Sequence, residues 1–284
     1  MKSSKLYYVL IFLGLIFFYS CDEVDNQSNQ QPLAEKTLLN VSYGSHPQQV
    51  FDLYLPANRS EATTKTLILV HGGSWVSGDK ADMIYAVNII KQALPTYAIA
   101  NINYRLATAQ NFAFPMQIDD IDAVVQKIKN ENYGISDNFG FIGTSAGGHL
   151  SMLYSYGYNN NNHVKMVCSI VGPTNFTDPN YTNNPLWIAT LFNLTGLNYF
   201  DNIPYFEQLS PYYRVNANAV PTIMFYGNAD ELVPTSQGVE LHAKLNQLGV
   251  YNEFNLYNGG HGNWSPTDLL DANTKMIAFI RNRF

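Results

Sequence analysis

Residues 139–150 read FGFIGTSAGGHL and carry the strongest structural signal in the sequence. Phe139–Ile142 is short and apolar, as expected of a buried parallel strand, and Ala146–Tyr156 has the composition of a helix. The chain must therefore turn sharply from strand to helix at residues 143–147, GTSAG. Glycines two residues before and two after Ser145 allow the neighbouring backbone to approach closely. Such a turn exposes the Ser145 hydroxyl beside the free N–H groups of a helix N-terminus.

Outside this stretch, short apolar runs alternate with segments whose apolar residues recur at helical spacing. This alternation is typical of a mostly parallel sheet covered by helices. The sequence therefore predicts an α/β fold in which one central, mostly parallel sheet is flanked by helices. The predicted strands are Val50–Leu55, Thr66–Val70, Ala98–Tyr104, Phe139–Gly143, Met166–Val171, Thr222–Tyr226 and Glu253–Tyr257, and the predicted helices are Ala81–Leu94, Met116–Asn130, Ala146–Tyr156, Ser236–Leu248 and Thr267–Arg281.

A second motif, HGGSW at residues 71–75, follows the predicted strand Thr66–Val70. Glycine amides can point into a site without a side chain in the way, so this loop is a candidate donor of N–H bonds to an oxyanion. We expect His71 to hold the loop in place. For this motif and for residues 143–147, the alternative is a tight structural turn. The candidate oxyanion donors are Gly73, Gly72 or Ser74, and Ala146, which follows Ser145.

Two later loops supply a carboxylate and a histidine, each directly after a predicted strand. Residues 227–234, GNADELVP, contain Asp230, and residues 259–262, GGHG, contain His261. The order Ser145, Asp230, His261 along the chain is one of the known orders of a nucleophile, its orienting acid and its base. Aspartate is common in surface turns, which is the alternative for Asp230. His149, one helical turn after Ser145, is expected to be packed.

Taken together, the four motifs resemble those of the α/β-hydrolase superfamily, in its hormone-sensitive-lipase-like and carbohydrate-esterase branch. The resemblance extends from about Val41 to the end of the chain and includes FDLYLP at 51–56 and NYRL at 103–106. Residues 71–80, HGGSWVSGDK, particularly resemble bacterial feruloyl and acetylxylan esterase-like enzymes. Ser74 stands where many relatives of the lipase branch have a third glycine. The resemblance implies the α/β-hydrolase fold and a serine esterase.

The implied chemistry is acyl transfer in two steps, with Ser145 as nucleophile, His261 as base and Asp230 as the acid that orients it. Such a reaction needs no metal ion or organic cofactor, and no Cys/His/Asp cluster in the sequence has the spacing of a metal site. We therefore expect a serine carboxylic-ester hydrolase acting on short acyl esters, such as acetyl or feruloyl groups on polysaccharide.

Three other functions are alternatives to an esterase, namely a peptidase, a lipase and a non-catalytic binding protein. A peptidase of the prolyl or dipeptidyl type would carry a large extra N-terminal domain, for which we expect no room in a chain of 284 residues. A lipase would call for a strongly apolar lid. A non-catalytic binding protein of this fold would be expected to lack part of the motif set.

Residues 172–220 break the alternation of strands and helices and are too long for an ordinary loop. We expect them to form a cap-like insertion over the carboxyl edge of the sheet, where open α/β sheets bind ligands. The insertion mixes aromatic residues with asparagines, a combination that suits sugar rings and hydroxyls, although the aromatics could equally form its own small core. The candidate substrate-binding residues are Trp75, Trp187 and Trp264.

The N-terminus is distinct from the rest of the chain. Lys2 and Lys5 precede the apolar run Leu6–Tyr19, and Cys21 is followed at once by acidic residues. The run is shorter than a membrane-spanning helix needs, and the arrangement is similar to a bacterial lipoprotein signal, in which the cysteine is lipidated. Ordinary secretion and an uncleaved anchor are the alternatives. We predict a signal peptide at 1–20, a flexible tether at 21–35 and a hydrolase domain at 36–284, anchored by lipid in the cell envelope.

Charge and cysteine content restrict the partners further. The formal net charge is −6 and no basic tract is present, which argues against a nucleic-acid partner. The other cysteine, Cys168, lies in an apolar run where a small thiol packs well and where nothing would lower its pKa. We therefore expect an ester substrate and a lipid anchor as the partners of this chain.

Overall fold

A central sheet with helices on both faces makes up residues 32–284, which are the residues that the computed structural model describes. Its strands are β1 (Lys36–Ser42), β2 (Val50–Leu55), β3 (Thr66–Val70), β4 (Ala98–Ile102), β5 (Phe139–Thr144), β6 (Val164–Ile170), β7 (Thr222–Gly227) and β8 (Asn252–Tyr257). They form one sheet in the order β1-β2-β4-β3-β5-β6-β7-β8. The pairs β1–β2 and β2–β4 are antiparallel, and all other neighbours are parallel. The predicted mostly parallel α/β fold is therefore confirmed.

The helices connect these strands and cover both faces of the sheet. They are α1 (Ile84–Ala93), which follows a short 3-10 turn at Lys80–Met83, α2 (Met116–Asn130), α3 (Ala146–Gly157), α4 (Pro179–Thr182), α5 (Pro185–Thr195), α6 (Ile203–Gln208), α7 (Pro211–Arg214), α8 (Ser236–Gln247) and α9 (Pro266–Arg283). The five predicted helices match α1, α2, α3, α8 and α9, with ends that differ by at most three residues.

Alternating side chains along the central strands build two hydrophobic cores. In β3, Ile68 and Val70 belong to the core formed with α2, α3 and α8, whereas Leu67 and Leu69 belong to the core formed with α1 and α9. Because both faces of the strand are buried, four of its five positions are apolar, and no polar alternation is visible in its sequence.

The strand β1 was not predicted, and its structure gives the reason. It lies at the edge of the sheet, pairs only with β2, and its register shifts between Leu38 and Val41. Leu39 is 63% exposed, and most other positions of the strand are exposed as well. A strand with little buried surface and an irregular register lacks the apolar period that sequence analysis depends on.

Residues 172–220 contain α4 to α7 and no strand. Phe176, Tyr181 and Phe206 are fully buried in the core that includes α2, α3 and α8. Phe192 and Phe200 remain 49% and 67% exposed. The aromatic residues of this segment therefore divide into a buried set, which attaches the segment to the sheet domain, and an exposed set on its outer surface.

The predictions for the N-terminus fall outside the described residues. The signal peptide at 1–20, Cys21 and most of the predicted tether lie before residue 32, where the description of the structure begins. From residue 32 to the end of the chain, every helix is too short or too polar to cross a membrane. Cys168 is buried in the core, and burial raises the pKa of its thiol.

Candidate active site

The predicted strand-to-helix turn at Ser145 has strained backbone geometry. Ser145 lies between β5 and α3 with φ 54° and ψ −121°, a combination that non-glycine residues seldom adopt. Its N–H donates to the Ile170 carbonyl at 2.8 Å, and its own carbonyl accepts from His149 N–H at 3.0 Å. A β-carbon at Gly147 would overlap the backbone carbonyls of Val70 and His71. Glycine at this position therefore lets α3 start directly against the end of β3.

Ser145, His261 and Asp230 form a continuous chain of hydrogen bonds. His261 Nε2 lies 2.9 Å from Ser145 Oγ, and His261 Nδ1 lies 2.8 Å from Asp230 Oδ2. The Asp230 side chain is fully buried, whereas the His261 side chain is 21% exposed. The carboxylate thus binds one nitrogen of the imidazole, and the other nitrogen contacts the serine hydroxyl. The structure brings together all three residues that the sequence singled out.

The Asp230 carboxylate is fixed by its own loop. Its Oδ1 accepts hydrogen bonds from the N–H groups of Leu232 at 2.8 Å and Val233 at 2.9 Å. The neighbouring Glu231 is exposed and makes none of these contacts. Three hydrogen bonds to one buried carboxylate hold its orientation towards His261.

The loops that carry Asp230 and His261 are bonded to each other. Ala229 N–H donates to the Gly259 carbonyl at 2.9 Å, and Gly259 N–H donates to Asn228 Oδ1 at 3.1 Å. Gly260 N–H is held by Asn263 Oδ1 at 2.8 Å. The first two bonds cross between the ends of β7 and β8 and help to set the separation of the acid and the base, and the third fixes the His261 loop internally.

The loop with the HGG motif passes directly beside the nucleophile. A β-carbon at Gly72 would lie 3.0 Å from the Thr144 carbonyl oxygen and 3.2 Å from Ser145 Cβ. Within residues 32–284, the N–H groups of Gly73, Ser74 and Ala146 donate to no other protein atom. The predicted oxyanion donors are these three residues and Gly72. They lie on the HGG loop and at the start of α3, the two segments that meet at Ser145. Free N–H groups at such a place can bind a developing negative charge.

His71 and Tyr104 support this loop from behind. His71 is fully buried, its Nδ1 lies 2.7 Å from the Gly72 carbonyl, and its ring stacks on Tyr104 at 4.2 Å between centroids. The Tyr104 hydroxyl donates to the His71 carbonyl at 2.8 Å. Burial lowers the pKa of His71, which keeps the imidazole neutral. As expected from the sequence, this histidine has a structural position.

A second buried chain joins the same loop to the insertion. Trp75 Nε1 donates to His149 Nδ1 at 3.2 Å, and His149 Nε2 lies 2.8 Å from the Leu209 carbonyl, to which it donates. His149 is packed, as expected, between the rings of Trp75 and Phe176. One imidazole therefore links the HGG loop, α3 and the end of α6.

A narrow cavity opens over Ser145 and His261. The space that the centre of a water-sized sphere can occupy inside it has a volume of about 20 Å³. This is enough for about one water molecule. Trp75 and Trp187, two of the three predicted substrate-binding residues, lie in its wall, and Tyr181 stacks on Trp187 at 4.5 Å between centroids. The lining residues are Ser74, Trp75, Ser145, Ala146, Pro173, Tyr181, Trp187, Leu232, Val233 and His261.

Trp264, the third predicted substrate-binding residue, does not line this cavity. Its ring packs on Tyr257 at 4.8 Å between centroids, in the core with α1 and α9, and its N–H donates to the Gly260 carbonyl at 3.1 Å. Trp264 thus supports the His261 loop from within the protein. The prediction rested only on the proximity of Trp264 to His261 in sequence. That proximity does not show on which side of the loop the Trp264 ring lies.

Sequence reasoning did not identify Pro173, Leu232 and Val233 as cavity residues. Leu232 and Val233 follow Asp230 in a loop, and loop residues carry no apolar period that would show which way they point. Their closeness to Asp230 was the one available signal, because the N–H groups two and three residues after Asp230 hold its carboxylate and so keep Leu232 and Val233 at the site.

The BD-FAE family matches residues 51–245, which is well over half of the chain. The chain belongs to the BD-FAE family. Among curated proteins, it is 28% identical over 252 residues to Esterase LipC of Mycobacterium tuberculosis, covering 82% of this chain and 60% of that protein. The probable carboxylic ester hydrolase LipM of the same organism is 25% identical over 74% of this chain and 52% of its own length. This BD-FAE chain therefore spans only about half to three-fifths of these relatives.

Solved structures with the same fold include several esterases. A truncated carbohydrate esterase from gut microbiota superposes with a TM-score of 0.71 at 22% identity, covering 86% of this chain and 96% of that one. A bacterial heroin esterase gives a TM-score of 0.68 at 20% identity, covering 86% of this chain and 84% of that one. These similarities confirm the predicted α/β-hydrolase fold of this BD-FAE family member.

The chain of bonds through His149 predicts a specific pH dependence of stability. Burial lowers the pKa of His149 from its ordinary 6.5 to about 4. The contribution of the neutral His149 to the free energy of unfolding is therefore complete above pH 6.5. As the pH falls from there through 4, the unfolded chain binds the proton first, and this contribution is lost. We expect wild type to lose about 3 kcal/mol more unfolding free energy than His149→Gln between pH 7 and pH 4.

Urea denaturation at both pH values measures this difference. His46→Gln, which removes an exposed histidine, is the matched control and should follow wild type. Equal losses in wild type and His149→Gln would contradict a buried, neutral His149.

Proposed function

We propose that this protein is a serine carboxylic-ester hydrolase acting on short acyl esters, in which Ser145, His261 and Asp230 perform the reaction. The observation that carries the proposal is the continuous bonding from Asp230 Oδ2 through His261 to Ser145 Oγ, at 2.8 Å and 2.9 Å. Family membership and the esterases among the similar proteins support the same reaction class.

In the first step, Ser145 Oγ attacks the carbonyl carbon of the ester while His261 Nε2 takes the hydroxyl proton. Asp230 holds the imidazole through Nδ1–H and stabilises its charged form. The negative charge that develops on the carbonyl oxygen is stabilised by the N–H groups of Gly73, Ser74 and Ala146. When the tetrahedral intermediate collapses, the carbon–alkoxide bond breaks and His261 returns its proton to the departing alcohol.

The second step repeats these roles with water. His261 takes a proton from the water as its oxygen attacks the acyl carbon, and the intermediate collapses with release of the acid. The proton then returns from His261 to Ser145 Oγ. Protons and charges balance over the cycle, and each transfer uses the same Nε2 atom, which explains why the imidazole must be fixed in one orientation.

The size of the cavity supports a short acyl group. A cavity with room for about one water molecule favours the smallest acyl groups, such as acetyl, whereas a feruloyl group or a long alkyl chain would require the wall to move. Trp75, Trp187 and Tyr181 are buried and hold this wall in place.

The alcohol part is proposed to be a sugar of a plant-type polysaccharide. Phe192 and Phe200 are exposed on the insertion, and the exposed Asn183 and Asn193 lie among the same helices. Aromatic faces pack on the apolar side of sugar rings, and amides bond to hydroxyls. Tyr181, Trp187 and Tyr199, by contrast, are buried and serve the core of the insertion. The support from aromatic residues therefore comes from the outer surface of this segment.

The location proposed for the protein is the cell envelope, with Cys21 as the lipidated residue. The support is the sequence of residues 1–25, in which a basic start and an apolar run precede the cysteine. We expect wild type in the membrane fraction and Cys21→Ala in the soluble fraction or unprocessed. Detection of mature protein with an unmodified Cys21 by mass spectrometry would rule out the anchor.

Removing the nucleophile tests the proposed reaction. Ser145→Ala should lower kcat on short aryl esters by several orders of magnitude with an unchanged unfolding midpoint, because the three residues act as a unit. The wild type should release acetate from acetylated xylooligosaccharide, and its efficiency on nitrophenyl esters should fall beyond butyrate. Efficiency that rises steadily beyond octanoate, with no release from acylated sugars, would favour a lipase instead. Preferential cleavage of aminoacyl-arylamides would favour a peptidase.

A pair of matched carboxyl variants tests the role of the acid. Asp230→Asn should lower kcat by up to about 10⁴-fold, because the amide favours the wrong tautomer of His261. Glu231→Gln, one residue further and exposed, should leave kcat within a factor of two or three. The reverse pattern would mean that Glu231 orients the base.

A further inference from the structure

A wide, open cleft lies at the amino edge of the sheet, at the opposite end of α3 from Ser145. The loops that form it lead into the parallel strands β6 and β7, whereas the loops of Ser145, Asp230 and His261 follow β5, β7 and β8. The space that the centre of a water-sized sphere can occupy in the cleft has a volume of about 570 Å³, which is in the range of small-molecule sites. The lining residues are Ser155, Tyr156, Gly157, Asn159, Asn160, Asn162, Asn216, Asn218 and Ala219.

Asparagine side chains supply most of the polar surface of this cleft. The exposed ones are Asn160, Asn162, Asn216 and Asn218. Within residues 32–284, the side chains of Asn160, Asn162 and Asn218 make no hydrogen bond to the protein, and Asn216 uses only its Oδ1, which accepts from the Asn218 N–H at 2.8 Å. Asn159, by contrast, has both amide atoms bonded to the backbone at the start of β6. The cleft therefore presents accessible amide groups from two loops that the fold itself does not use.

Turn formation explains only part of this cluster. Asparagine is common in turns and tolerates a positive φ, and Asn162 has such a conformation, with φ 53°. Asn160 and Asn218 do not have a positive φ, and their side chains bond to no turn. The segments 158–163 and 216–219 are also far apart in sequence. A local turn preference in each of them gives no reason for their unbonded amides to line the same cleft.

The chemistry of the lining favours a neutral ligand rich in hydroxyl groups. Within residues 32–284, the cleft has no charged lining residue, whereas cation sites are built largely from carboxylates and anion sites from Arg or Lys. The carboxyl end of α3, which carries partial negative charge, disfavours an anion further. Arg214 lies beside the cleft, but its Nη2 donates to the Gly157 carbonyl at 3.3 Å and its guanidinium lies over the Tyr158 ring at 5.8 Å. Amides both donate and accept hydrogen bonds, as hydroxyls do.

We propose that this cleft is a second binding site of the protein, for a neutral oligosaccharide. Helix α3 has 12 residues and separates Ser145 from the cleft, so the two sites lie about 18 Å apart along the helix. A short ester reaches one of them only, whereas a glycan chain has the length to occupy both. The cleft thus adds affinity for polymeric substrates and none for small esters. Binding at the cleft does not depend on the proposed esterase function.

Chemical-shift mapping by NMR on isotope-labelled Ser145→Ala tests the cleft without turnover. The probes are unacetylated xylohexaose and cellohexaose, and with at least one of them the amide signals of residues 155–162 and 216–219 should shift. In the same background, Asn160→Ala combined with Asn218→Ala should weaken the binding seen at these signals on the order of tenfold, because two side-chain hydrogen bonds are lost. The unfolding midpoint should stay unchanged, since neither side chain is bonded to the protein.

Asn88→Ala combined with Asn282→Ala is the matched control. It removes two exposed asparagines, on α1 and α9, that do not line the cleft, so oligosaccharide binding should stay at the level of the Ser145→Ala parent. In the catalytically intact protein, the double change at Asn160 and Asn218 should leave kcat/KM on nitrophenyl acetate unchanged and raise KM on acetylated xylan.

Several outcomes would overturn the proposal. They are unshifted cleft signals with both hexasaccharides, shifts confined to the surroundings of Ser145, and equal binding by the parent and the variant at Asn160 and Asn218. Shifts of the cleft signals with sodium sulfate or calcium chloride, but with neither hexasaccharide, would identify an ion site instead. The result is separate from the fate of the esterase function. Oligosaccharide binding at the cleft of a protein that hydrolyses no ester would support the cleft and refute the esterase.

Discussion

The strained turn at Ser145 fixes the point at which the nucleophile meets the other groups of the site. A serine at φ 54° costs on the order of 1–3 kcal/mol and persists only where its surroundings over-determine it. Here those surroundings are β5 and β6 on one side and the end of β3 on the other, with Gly147 permitting α3 to start in the gap between them. The turn puts the hydroxyl and the first free N–H of α3 at one point, and every other loop is positioned relative to that point.

Separate structural devices bring the remaining groups to this point. The parallel sheet places the loops after β3, β5, β7 and β8 at its carboxyl edge. Bonds between the β7 and β8 loops set Asp230 against His261. The buried imidazoles of His71 and His149 fix the HGG loop from two directions, and His149 also ties it to residue 209 of the insertion. Because the insertion is packed in the same core, the wall of the cavity is part of the domain.

Much of this arrangement could be predicted from sequence, for identifiable reasons. The central strands are buried on both faces and therefore appear as short apolar runs, and the motifs around Ser145, Gly72, Asp230 and His261 follow those runs directly. The edge strand β1 could not be predicted, since it is exposed and irregular. The direction of side chains within loops was equally out of reach, so Trp264 was misplaced and Leu232 and Val233 were not identified as cavity residues. The meeting of the asparagine loops before β6 and β7 depends on the pairing of these two strands, which no local pattern encodes.

Covalent labelling with an active-serine phosphonate, followed by peptide mapping, tests most directly whether Ser145 is the nucleophile. One equivalent of label should appear on the peptide that contains Ser145, at a rate that falls sharply in His261→Ala, and Ser145→Ala should take up none. Label on a different serine, or stoichiometric labelling of Ser145→Ala, would contradict the assignment of Ser145 as the nucleophile positioned by this turn.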